Sequence, residues 1–396
     1  MDVLQVLQSL SWPLAIGLGW VAGEWAYRRW GIPRVAAYGL LGFVLGETQL
    51  GWLGDAHHSH LLWLVHVAFG LTLFEFGHRI NLPWLLRNPR FTVQVAAETL
   101  LIFLLVWLAS SLLGMEPLVS WMVAALAACG SPAGLMRVIN EGRASGIATE
   151  RALHTSALQC VASVALFKLA AGAWALSSLG DWGQALWNSG VMLLGSTALG
   201  LLFGAMLPWL IDRLGRPVPD TTLPYAIAVM LLVSVTLAWK LSPVLATLVF
   251  GLMARHRRIG LTSAQRNFGA LGDVMAVLLF IFAGAALDVR LVLEGWWIGL
   301  LIVLLRLGVK LGVAWAASVG EGDGMGRRKA LLAGVASTPI SVFVILLLEQ
   351  ARVMGLEVLG TVAALAAATW LLEIAGPALS RWALKRANEL APADGP

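Results

Sequence analysis

Long apolar runs separated by short charged turns extend along almost the whole chain. They lie near 5–28, 34–52, 60–79, 91–114, 117–139, 151–178, 184–211, 222–240, 243–254, 267–287, 293–319, 329–351 and 355–380. Most hold close to the ~20 residues an α-helix needs to cross a hydrocarbon core. The thirteen runs predict an all-α membrane protein of about thirteen transmembrane helices, the short ninth run being tilted or part of a bent helix. Two runs are interrupted. Gly130-Ser131-Pro132-Ala133-Gly134 breaks the fifth, and Ala336-Ser337-Thr338-Pro339-Ile340 breaks the twelfth. Proline removes a helix hydrogen bond and frees carbonyls that lipid cannot satisfy, so such breaks must face protein or a water-filled cavity. A proline kink alone is the plainer reading of either break. Their corresponding places in the two halves argue instead for inverted repeats whose interrupted helices cross at a transport site.

Composition agrees with the pattern. Hydrophobic residues make up 59% and charged residues 12% of the 396, against about 25% charged in soluble domains. The sequence pI near 9.6 does not indicate nucleic acid, because the basic residues sit in turns between the apolar runs. Twenty-one of the 27 lysines and arginines fall in turns on one side, three on the other, and Lys168, Arg306 and Lys310 lie inside runs. Basic turns stay cytoplasmic during insertion. The expectation is a multi-pass protein of the bacterial inner membrane, N-terminus outside and C-terminus inside. Many tryptophans stand near run ends, as interfacial anchors do.

No cleavable leader is expected, since Asp2 occupies the start and no basic segment precedes the first run. Residues 1–387 form one transmembrane domain, and 388–396 form a short cytoplasmic tail. Walker loops, nucleophile elbows and metal-ligand spacings are absent, which argues against an enzyme and against a cofactor. Cys129 and Cys160 fit neither zinc nor redox spacing and read as small packing residues. His57, His58 and His60 read as a solvated loop, so no metal site is expected.

Several segments carry a family resemblance. YRRWGIPRVAAYGLLGFVLGETQLGWLG, LVHVAFGLTLFEFGHRINL, GSPAGLMRVINEGRASG, LSPVLATLVFGLMARHR and FIFAGAALDVRLV resemble, in order, motifs of the monovalent cation:proton antiporters of the Kef-like and NapA-like type. The likeness implies the NhaA-like antiporter fold, with core helices at about 91–178 and 293–380 and the remaining helices as scaffold and dimer contacts. It also implies a homodimer in the lipid bilayer that exchanges sodium or potassium for protons by alternating access.

The resemblance breaks at one position. The family carries an Asn-Asp or Gln-Asp pair in the sixth span, where this chain reads Gln159-Cys160. A thiol, with a reference value near 8.5, does not exchange a proton near neutrality as a carboxylate there would. Lys310 matches the family lysine after the FAGAALD turn, and an ammonium at that depth requires a partner. By helical rise, Ser131, Cys160 and Lys310 share one mid-membrane layer. The candidate ion site is therefore Ser131, Pro132, Gln159, Cys160, Lys310, Ser337, Thr338 and Pro339. Glu98, Glu373 and Asp273 are the candidates to couple protons in place of the missing aspartate. Two alternatives stay open. One is an anion or neutral-solute carrier built on a positive centre of Lys310, Arg306 and inward-facing half-helix N-termini. The other is a membrane sensor or scaffold that no longer transports.

Overall fold

The computed structural model describes residues 3–53, 59–177, 182–213, 222–256, 268–320, 326–340, 344–345 and 359–391. Among them there is no strand. The helices are α1 (Val3–Trp30), α2 (Arg34–Leu45), α3 (Ser59–Arg79), α4 (Leu82–Arg87), α5 (Pro89–Leu112), α6 (Pro117–Ala127), α7 (Pro132–Gly142) and α8 (Ile147–Ser177). They continue with α9 (Trp182–Arg213), α10 (Thr222–Ala238), α11 (Pro243–His256), α12 (Gly269–Ala285), α13 (Val289–Glu294), α14 (Trp296–Gly320), α15 (Arg327–Ala336) and α16 (Leu359–Arg386). Every apolar run of the sequence contains one of these helices, or a broken pair of them. The short α4 and α13 lie between runs. Residues 341–343 and 346–358, which take in most of the far half of the twelfth run and the start of the thirteenth, fall outside the described residues, as do His57 and His58.

Six helical stretches among the described residues are long and apolar enough to cross a membrane on length and composition alone. Others are shorter than their runs suggest. α2 stops at Leu45, where the helix gives way to Gly46 and a polar turn. Gln49 in that turn donates from Nε2 to Leu287 O at 3.0 Å, so the end of the second run ties down the chain that follows α12.

Two compact units divide the chain. Met1–Ala56, Asn88–Phe167 and Phe280–Pro396 form the first, and His57–Arg87 with Lys168–Leu279 form the second. In the second unit α3 and α11 cross at glycine. A Cβ on Gly251 would collide with Phe74 O, and one on Gly77 with Leu248 O, so only glycine allows these backbones to touch. Around that crossing Phe74, Tyr225, Phe250 and Phe268 pack ring against ring, with Phe74 and Phe250 centroids 4.8 Å apart. Glu75 and Arg79 form the local pair that their spacing suggests, at 3.5 Å.

The first unit holds both breaks. α6 ends at Ala127 and α7 begins at Pro132, while α15 ends at Ala336 and residues 337–340 are not helical. Freed carbonyls here are repaired by side chains. Ser163 donates to Ala125 O at 2.6 Å, Ser380 to Ala336 O at 2.7 Å, and Ser337 and Thr338 both donate to Gly334 O. Ser131 caps α7 by accepting from Gly134 N at 3.3 Å. Hydrocarbon offers no donors, so each of these bonds is what makes broken backbone tolerable at this depth.

Candidate functional site

Four helices of the first unit bring polar side chains to one buried point. Glu98 comes from α5, Gln159 from α8, Lys310 from α14 and Ser337 from the end of α15. Lys310 Nζ donates to Glu98 Oε1 at 2.7 Å, to Gln159 Oε1 at 3.0 Å and to Ser337 Oγ at 3.1 Å. Those three bonds use all three donors of an ammonium. Gln159 closes the ring by donating from Nε2 to the same Glu98 oxygen at 2.7 Å. All four residues are buried, Lys310 completely. A lone charge here would cost several kcal/mol. The ion pair with its flanking amide and hydroxyl offsets that cost through short, charge-assisted bonds.

One turn before Lys310 on α14, Arg306 joins the two breaks. Its Nε donates to Thr338 O at 2.9 Å and its Nη2 to Pro339 O at 3.2 Å, and its Nη1 donates to Ala127 O. Both breaks therefore lie within reach of one side chain, as crossed interrupted helices require. The ends that converge on the guanidinium are the C-termini of α6 and α15, which carry partial negative charge. Among the described residues, the hydrogen bonds of Arg306 go to these exposed carbonyls. Its role was not evident from the sequence beyond its i−4 spacing from Lys310, which places both on one helix face.

The other candidates separate. Cys160, beside Gln159, is buried against Cys129. Pro132 opens α7, and Thr338 and Pro339 supply carbonyls to Arg306. Glu373 is buried on α16, and its Oε1 has no hydrogen-bond partner, nor have Thr369 Oγ1 and Trp370 Nε1 beside it. It packs against Gly39 of α2, where an added Cβ would lie 3.2 Å from its Cγ. It is not part of the Lys310 cluster. Asp273 lies in the second unit with an exposed side chain. A narrow cleft of about 20 Å³ reaches the cluster, lined by Gln94, Glu98, Arg151, Thr155 and Ser337 among others. That is room for about one water molecule. Arg151, which lines the cleft, stands near the start of α8, on the side where the basic turns gather.

The sodium/hydrogen exchanger transmembrane family model matches residues 17–383, nearly the whole chain. The chain belongs to the sodium/hydrogen exchanger family. Its fold agrees with that of the sodium proton antiporter MjNhaP1 from Methanocaldococcus jannaschii. The structure of that antiporter at pH 8 superposes with a TM-score of 0.72 at 17% identity, over 96% of this chain and 97% of that one. An electron-microscopy map of the same antiporter gives 0.72 and 17% over 99% and 100%. No curated protein matches by sequence. The family is one of multi-pass membrane transporters rather than enzymes, and its NhaA-like fold accounts for the paired interrupted helices.

Proposed function

We propose that this exchanger moves a monovalent cation, sodium or potassium, against protons, with Glu98 in the role of the missing aspartate and Lys310 as the proton carrier. One observation carries the reading: the 2.7 Å ion pair between Glu98 on α5 and Lys310 on α14. A metal ion that binds the Glu98 carboxylate removes the counter-ion of Lys310. The ammonium then sheds its proton, so the site holds one positive charge before and after. Cation and proton thus exclude each other by electrostatics, which is what antiport needs. Gln159 and Ser337 keep an oxygen each beside the carboxylate when the ammonium leaves. The cleft past Arg151 and Gln94 supplies entry from the side of the basic turns, which we take as cytoplasmic.

Proteoliposomes with an internal pH dye test this. Sodium or potassium pulses should drive proton movement in the native protein, and Glu98→Gln should reduce it at least tenfold. Glu373→Gln should leave more than half. If Glu98→Gln retains the native rate while Glu373→Gln abolishes it, the coupling carboxylate is Glu373 and the Glu98 reading is wrong.

An anion carrier has one observation in its favour: Arg306 and Lys310 together outweigh Glu98 by one positive charge. Against it, the ammonium and three N–H groups of the guanidinium are already engaged by protein acceptors. Proton movement that follows an imposed anion gradient and ignores sodium and potassium would favour it.

A further inference from the structure

The break in the fifth span meets α8 at sulfur. Gly130 packs so closely on α8 that a Cβ there would lie 2.8 Å from Ser156 Cα and 2.9 Å from Ser156 O. Cys129 precedes that glycine, and Cys160 lies one turn beyond Ser156 on the same face of α8. The close approach therefore sets the two thiols side by side. Their side chains interact directly, and Cys129 also reaches Ser163. Ser163 spends its own proton on Ala125 O at 2.6 Å, so toward the thiols it offers oxygen lone pairs. Ser156 is buried too, and its hydroxyl has no partner. Both cysteines are fully buried, and they are the chain's two cysteines.

Charge adds a second argument. Among the described residues Arg306 makes no ion pair: its hydrogen bonds go to backbone carbonyls. Cys129 lies within its electrostatic reach. Arg306 and Lys310 against Glu98 leave one positive charge in excess in this cluster; the Cys129 thiol beside it donates only to Gly130 O, at 3.4 Å, and the thiol pair can become an anion.

We propose that Cys129 and Cys160 form a two-sulfur site for a soft monovalent metal ion of the copper(I) or silver(I) class. Binding breaks two S–H bonds and forms two S–metal bonds. One metal ion enters, two protons leave, and no electron is transferred. The bis-thiolate complex carries a single negative charge, which offsets the excess positive charge at Arg306. Thiolate selects soft ions, whereas sodium and potassium favour hard oxygen ligands. Two sulfurs side by side at this buried position therefore prefer a soft ion. The site is separate from the Glu98–Lys310 exchange and does not depend on it.

Silver(I), which does not cycle redox state under these conditions, is the probe. The full-length reduced protein in detergent is titrated with it calorimetrically, in two buffers of different ionisation enthalpy. The expected result is one silver ion per chain with about two protons released, and at least a hundredfold weaker binding in Cys129→Ser and in Cys160→Ser. Two silver ions per chain, unchanged binding in either single variant, or no binding beyond that of the doubly substituted protein would overturn the proposal. Should the variants fail to fold, X-ray absorption on the native protein with one equivalent of silver decides. Two sulfur neighbours support the site, and one or none removes it. Sodium or potassium flux is read separately in the proteoliposome assay, so failure of the exchange reading leaves this result untouched, and the reverse.

Discussion

At the scale of single residues, the Glu98–Lys310 pair is an expensive feature to keep in a membrane. Breaking a buried pair by removing one partner costs about 3–5 kcal/mol, whereas replacing both partners with well-packed neutral side chains is often neutral. Lys310→Met should therefore destabilise by about that amount, because it leaves the Glu98 carboxylate with only the Gln159 amide. Glu98→Gln combined with Lys310→Met should recover most of the loss. Thermal unfolding in detergent, run as a double-mutant cycle, reads this directly. A loss in the double variant equal to the sum of the two single losses would mean that the two groups do not interact. Glu373 is the contrast. Its Oε1 has no hydrogen-bond partner, which is why the transport test sets its amide variant against that of Glu98.

Among the elements, the first turn of α8 is held from a distant part of the chain. Glu389, just past α16, accepts from Ala148 N at 2.9 Å, Thr149 N at 2.8 Å and Thr149 Oγ1 at 2.8 Å. The carboxylate satisfies orphan N–H groups and meets the positive end of the helix dipole. Ser145 N donates to Glu389 O and Ala391 N to Gly142 O, so this short stretch is stapled across the α7–α8 turn. Gly146 makes room. Its φ is +150°, and a Cβ there would lie 2.6 Å from Glu389 Cγ. Glu389→Ala should cost about 1–2 kcal/mol, the range of a lost helix cap. Lys329→Ala should cost far less, because its side chain is 44% exposed and stands 3.7 Å away, where screening leaves little. Unfolding midpoints of the two variants check the order. A larger loss for Lys329→Ala would show that the ion pair, rather than the cap, holds the tail.

For the whole molecule, orientation is the open quantity with the clearest test. The arginine and lysine distribution predicts that the turn before α5 lies inside and the α5–α6 turn outside. In a protein with both native cysteines replaced by serine, Arg87→Cys and Glu116→Cys put single thiols at exposed positions on these two turns. A membrane-impermeant maleimide applied to intact cells should label Glu116→Cys and leave Arg87→Cys unlabelled until the cells are opened. The reverse pattern would invert the protein, and the cleft past Arg151 would then open outward.

What depends on neighbours along the chain could be read from the order of the residues. Hydropathy over ~20 residues places a span, the sign of the turns orients it, and proline among small residues marks where a helix cannot continue. The positions of the thirteen runs, the breaks at Ser131–Pro132 and Thr338–Pro339, and the lysine that needs a partner were all legible there. Which partner Lys310 takes was not. Glu98 and Glu373 sit at similar depths and look alike in sequence, yet one is 2.7 Å from the ammonium and the other packs against α2. Helical periodicity fixes the face of one helix but not the helix it meets, and the Glu98–Lys310 contact joins positions 212 residues apart. The same reason hid the use of Arg306 as the tie between both breaks, the meeting of Cys129 with Cys160, and the capping of α8 by Glu389. Each is a contact between side chains and backbone from separate segments, settled only when the helices pack and each freed carbonyl or N–H must find a partner away from lipid.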